Sequence, residues 1–108
     1  MPNNINYGLW YDFRNPKEWE QPFGQFYKER LDQIVQAEEL GFKSCWLTEH
    51  HFTGYNTYSD PIILASAISQ IAPSLNIGFS VNVVPFHHPV RFATQMNLLD
   101  QLIKKRID

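Results

Sequence analysis

The sequence predicts an α/β domain of three strand-helix units around a parallel sheet, and three observations carry that prediction. Short aromatic or apolar runs at 5–11, 44–48 and 75–84 have the length and composition of strands. Stretches with helical spacing or unbroken apolar character follow each of them, and Gly or Pro stands at the joints. Antiparallel hairpins would need tight turns where these helices stand, so the strands run parallel with right-handed crossovers. An open doubly wound sheet and a barrel both satisfy this order.

Each element has its own signal. Ile5 to Tyr11 is aromatic-rich and ends on the turn formers Asp12, Asn15 and Pro16. From Phe23 the apolar residues Phe23, Tyr27, Leu31, Ile34, Val35 and Leu40 fall on one helical face, with Gly41 as a stop. Ser44 to Thr48 is a short run suited to a buried parallel strand. Asp60 is a good N-cap and Pro61 a tolerated first helical residue, so a helix runs from there to Ala72, ahead of Pro73. Leu75 to Val84 is nearly all apolar, which predicts a long strand buried on both faces. Pro89 opens a third helix that gathers Phe92, Met96, Leu99, Leu102 and Ile103 on one face, with Lys104, Lys105 and Arg106 at its C-terminal end.

Composition narrows the class of function. The 108 residues are 44% hydrophobic and 15% aromatic, as in an ordinary globular protein. Nine Lys and Arg are outnumbered by eleven Asp and Glu, which argues against a nucleic-acid partner. No apolar run approaches the roughly 20 residues of a membrane-spanning helix. The single Cys45 cannot form an internal disulfide, and the polar start Met1-Pro2-Asn3-Asn4 lacks the regions of a secretory signal, so a cytoplasmic location is expected.

Two clusters carry potential chemistry. Glu49-His50-His51-Phe52 follows the second strand directly, and ligands of parallel α/β folds collect beyond the carboxyl ends of strands. These histidines read either as site residues or as hydrogen-bonded structural residues at a strand end. His87-His88-Pro89-Val90-Arg91 opens the third helix, where Arg91 pairs either with an anionic ligand or with a carboxylate such as Glu49 or Asp100. Convergence of His50, His51, His87 and His88 on a metal is disfavoured, because neighbours on extended backbone point apart. No Gly-rich phosphate loop or GxSxG elbow is present.

At these residues a family resemblance appears. Ala37-Glu38-Glu39-Leu40-Gly41-Phe42, Trp46-Leu47-Thr48-Glu49-His50-His51-Phe52, His88-Pro89-Val90-Arg91 and Leu98-Leu99-Asp100-Gln101-Leu102 occur in this order, each on the expected strand or helix. Together they resemble the N-terminal third of bacterial-luciferase-like, flavin-dependent monooxygenases.

The resemblance implies a (β/α)8 TIM barrel, of which residues 1–108 would be a partial domain cut near the start of the fourth strand. It implies reduced FMN, or a deazaflavin in some branches, at the C-terminal mouth. It further implies O2 and a small organic substrate as reactants, and a separate flavin reductase as electron donor. His50 corresponds to the family's active-site histidine, with His51 structural and Glu49 orienting one of the two rings. Ser80-Val81 corresponds to a non-prolyl cis peptide in the bed under the flavin ring. Trp10 to Phe13 would contribute to the substrate pocket. Homo- or heterodimers would form through the second and third helices, where the small residues Ala65, Ala67, Ser69 and Ala72 either let a partner helix approach closely or face the barrel.

Lys105 stands before Arg106 where the family usually has Gly, a change in a turn rather than in the site. The family's flavin phosphate site lies in later parts of the barrel, so these residues alone are expected to bind flavin weakly and, with open strand edges, to aggregate. A deazaflavin-dependent dehydrogenase on the same fold and a non-catalytic partner subunit are the alternative readings.

Overall fold

The computed structural model describes residues 5–105 and 107. The chain runs β1 (Gly8–Tyr11), α1 (Phe23–Glu39), β2 (Ser44–Leu47), α2 (Pro61–Ile71), β3 (Asn76–Phe79) and α3 (Pro89–Leu102), with single 3-10 turns at Lys17–Trp19 and Val84–Phe86. Met1 to Asn4 and Arg106 lie outside the described residues. The sheet is parallel in the order β1-β2-β3, as the crossover argument requires.

Strand alternation sorts the side chains. Leu9, Cys45 and Ile77 share one row, and Tyr11, Leu47 and Phe79 the next. Both rows belong to the core formed with Phe26 and Ile34 of α1, Ile62, Ala65 and Ile68 of α2, and Leu99 of α3. The opposite face carries the row Trp10, Trp46 and Gly78. Trp46 donates its indole N–H to Ser44 Oγ at 3.1 Å and spreads across Gly78, where a Cβ would sit 2.5 Å from the ring. A side chain at position 78 would displace that indole.

The helix signals hold in detail. Asp60 accepts the Ile62 and Ile63 amides at 3.0 and 3.3 Å, capping α2. Gly41 adopts φ +92°, and the Gly41 and Phe42 amides return to the Glu38 and Ala37 carbonyls, a Schellman ending for α1. Phe23 and Leu40 depart from the expected buried face and are exposed. Both lie at the ends of a helix of 17 residues, roughly 25 Å long, whereas strands of four residues span only about 13 Å, so the helix overruns the sheet.

All three strands are shorter than predicted, β2 by the single residue Thr48. Ile5 and Tyr7 are exposed and precede β1. β3 ends at Phe79 rather than Val84: the Val83 amide is taken by the Glu49 carboxylate, and Pro85 has no N–H to offer a ladder. Val81 and Val84 are therefore exposed instead of buried on both faces. α3 stops at Leu102, so Lys104 and Lys105 lie past its end rather than in its last turn, and Leu102 is partly exposed. Ala65, Ser69 and Ala72 are buried within the chain, which leaves Ala67 as the exposed member of that small-residue set. The outer surface of α2 and α3 instead presents Ile63, Leu98 and Leu102 around an apolar groove.

After α3 the chain returns to β3, where Ile107 makes a parallel bridge to Ile77. Among the described residues no helix is long and apolar enough to cross a membrane.

Candidate active site

The carboxyl ends of β2 and β3 meet at Glu49. Two residues past β2, its side chain is withdrawn from solvent and accepts three donors. His51 Nε2 lies 2.7 Å from Oε1, the Val83 amide donates to Oε2 at 2.7 Å, and His87 Nε2 stands 3.1 Å from both oxygens. A buried carboxylate needs such partners, since an unpaired one would ionise only at great cost. Burial pushes the Glu49 carboxyl up, but the bonds from His51, His87 and Val83 together outweigh it and hold the group below the usual carboxylate range.

The arrangement settles which ring Glu49 orients: His51, not His50. Of the two readings of Arg91, the pairing with a carboxylate of the chain is not the one adopted. Glu49 is saturated by imidazole and amide donors, and among the described residues Arg91 makes no ion pair with Glu49 or Asp100. His51 meets Phe86 edge-on at 4.8 Å between ring centres, and His87 lies against Phe92 at 5.0 Å. The loops after β2 and β3 are thus joined by ring contacts as well as by the carboxylate.

Two clefts flank this buried link. The first, about 350 Å³, is lined by His50, His51, Phe52, Asn56, Tyr58 and other residues of the loop between β2 and α2. Phe52 is fully exposed with φ +58°, a left-handed conformation that is uncommon outside Gly, Asn and Asp. The second, about 300 Å³, lies by the start of α3, lined by Asp60, Phe86, His87, His88, Arg91 and Phe92. The four histidines therefore split between two clefts, and among the described residues no group of three or more His, Cys, Asp or Glu side chains is arranged to hold a metal ion.

The β1 end is tied to the first cleft. Asn56 donates to the Asp12 carbonyl at 3.1 Å, Thr57 to the Phe13 carbonyl at 3.0 Å, and Arg14 bridges Asn56 in antiparallel fashion. Tyr58 accepts the Thr48 amide at 3.0 Å, and burial pushes its phenol up. Of the Trp10–Phe13 segment, Asp12 and Phe13 are buried and Tyr11 packs toward the helices, its hydroxyl bonded to Gln33. Trp10 alone of the four is substantially exposed, on the open face of the sheet. Ser80 and Val81, joined by the cis bond, are exposed directly beyond β3, and the next residue, Asn82, has a buried Oδ1 without a hydrogen-bond partner.

The roles of His87, Val83 and the 53–58 loop were not legible in the sequence. The available signal was the polar density of Thr53-Gly54-Tyr55-Asn56-Thr57, which marks a loop but not its partners.

Comparison with known proteins places this geometry. A family model described as luciferase-like monooxygenase matches residues 6–108. The alkanal monooxygenase alpha chain of Photorhabdus luminescens is 41% identical over 70 residues, covering 65% of this chain and 19% of that protein. Limonene 1,2-monooxygenase of Rhodococcus erythropolis is 32% identical over 77 residues, covering 71% and 20%. Among solved structures, the monooxygenase RslO1 of Streptomyces bottropensis superimposes with a TM-score of 0.84 at 28% identity, over 96% of this chain and 32% of that one. The oxygenating constituent of 3,6-diketocamphane monooxygenase from Pseudomonas putida, in complex with FMN, gives 0.82 at 21% identity over 95% and 28%, a likeness of fold. The chain spans about a fifth to a third of the length of these relatives. With its parallel sheet matching the opening strand-helix units of those barrels, the chain belongs to the luciferase-like monooxygenase family.

Proposed function

We propose that this chain is the opening part of a barrel enzyme that uses reduced FMN and O2 to oxygenate a small organic substrate. The observation that carries the reading is the buried link at Glu49, which joins His51 beyond β2 to the Val83 amide and His87 beyond β3, in a member of this family. The residues fit a flat ring system with apolar faces: Val81, Val84 and Phe86 are 59%, 56% and 67% exposed in the segment beyond β3. Asn82 Oδ1 adds an acceptor without a donor beside them. Ser80 and Val81 are the cofactor-binding residues in this reading. Reduced FMN, when bound, supplies the electrons for oxygen activation.

His50 serves as the acid or base. Glu49 is committed to His51 and His87, while no hydrogen bond engages His50 among the described residues, so its ring is available to a ligand in its cleft. Imidazole suits proton transfer in both directions near neutrality. A flavin reductase is the expected source of reduced cofactor, and the exposed groove of Ile63, Leu98 and Leu102 supports pairing through α2 and α3.

The test is anaerobic titration of the full-length protein with reduced FMN and with a reduced deazaflavin, followed by O2 and a panel of small aldehydes, ketones and alkenes. Binding of reduced FMN and transfer of one atom of labelled O2 to product are expected. Preference for the deazaflavin, or hydride transfer without oxygen incorporation, would overturn the reading.

A further inference from the structure

We propose that Glu49 and His87 are positioning residues that hold the 81–86 segment as one wall of the site and so set the affinity for the ligand lying on it. The inference rests on the functional reading above for the identity of that ligand, a flat flavin ring, but its geometric basis is independent. Residues 81–87 belong to no strand. Their local bonds, Val84 to Asn82, Phe86 to Val83 and His87 to Val84, make one 3-10 turn and fix nothing outside it. Among the described residues, every hydrogen bond that leaves the segment ends on Glu49: the Val83 amide at 2.7 Å and His87 Nε2 at 3.1 Å. One carboxylate thus anchors a stretch that turns Val81, Val84 and Phe86 outward.

The two anchors differ in what they require. Val83 uses its backbone, so any residue at position 83 except Pro supplies that donor. His87 uses its side chain, so the second anchor depends on the residue type. It is distinct from His50, which lies in the other cleft and makes no hydrogen bond to Glu49. Loss of the His87 donor should therefore loosen the wall and weaken ligand binding while leaving proton transfer intact. Loss of His50 should do the reverse.

The experiment compares His87→Ala, His87→Gln, Glu49→Gln and His50→Ala in the full-length protein, after checking that each melts cooperatively. Reduced-FMN affinity and single-turnover rate at saturating flavin are measured, together with hydrogen exchange at the Val83 amide. His87→Ala and Glu49→Gln are expected to weaken FMN binding about tenfold, the effect of losing one bond to a charged group. Exchange at Val83 should also be faster in both. His87→Gln retains an N–H donor and should recover most of the affinity. Unchanged affinity in His87→Ala, or equal losses in the Ala and Gln variants, would overturn the role of the donor. If the wild-type protein binds no FMN, the functional reading fails by itself, and exchange still decides the anchor: protection at Val83 that is reduced in His87→Ala supports it, whereas an unprotected wild-type amide or one indifferent to His87 refutes it.

Discussion

His87 Nε2 stands 3.1 Å from both oxygens of Glu49, a residue 38 positions earlier in the chain, and so joins the carboxyl ends of two neighbouring strands. The same carboxylate takes the shorter bonds from His51 and the Val83 amide, which leaves His50 outside the network. A pair of adjacent histidines is thereby divided into one held ring and one free ring.

That division predicts different phenotypes. In the full-length protein, His50→Ala should lower the single-turnover oxygenation rate by roughly 10²–10⁴-fold, the range for a lost general acid or base. His51→Ala should leave the rate within about tenfold and instead cost about 1–3 kcal/mol of stability, because a buried acceptor loses its partner. Rapid-quench kinetics and urea unfolding of both variants check this; a His50 variant with near-normal turnover refutes the assignment.

The Glu49 carboxyl gives a pH dependence whose sign is set. Its folded pKa is lowered, so its contribution to stability is present above the unfolded value, near about 4.3, and is lost as pH falls through the folded value. Urea midpoints should drop as pH falls below the unfolded value. Glu49→Gln should show a shallower drop from a lower starting point, by about 1–3 kcal/mol at pH 7. Parallel curves for the two proteins would contradict the network.

Cys45 should be inert. It is fully buried in β2, and burial pushes its thiol up to about 12. A disulfide reagent at pH 8 should label no Cys45 in the native protein and all of it in denaturant. Rapid native labelling would show that the core opens.

Gly78→Ala tests the packing on the open face of the sheet. The added Cβ would lie 2.5 Å from the Trp46 ring, so the indole must move, at about 1–3 kcal/mol, and its fluorescence should shift. Combining the change with Trp46→Leu should recover part of the loss, measured as a double-mutant cycle.

Asp60→Ala removes the cap from α2. The Ile62 and Ile63 amides lose their acceptor, and stability should fall by about 1 kcal/mol in denaturant unfolding, with little change at the Glu49 network.

What the sequence determined by itself was local. The Asp60-Pro61 start, the Gly41 stop, the parallel order and the placement of Glu49-His50-His51 past a strand all follow from neighbours within a few residues, where capping and periodicity act. The cis bond at Ser80-Val81 was legible through family resemblance, not through composition. Tertiary structure decided the rest. The apolar run from Leu75 to Val84 looks like one buried strand, yet its second half turns outward, because Glu49 captures the Val83 amide and Pro85 has no N–H for a ladder. The partners of Glu49 lie 2, 34 and 38 residues away, and an acidic side chain carries no mark of which donors it will meet. Only folding, which withdraws that carboxylate from water and obliges it to find donors nearby, selects His51 and His87 and leaves His50 free.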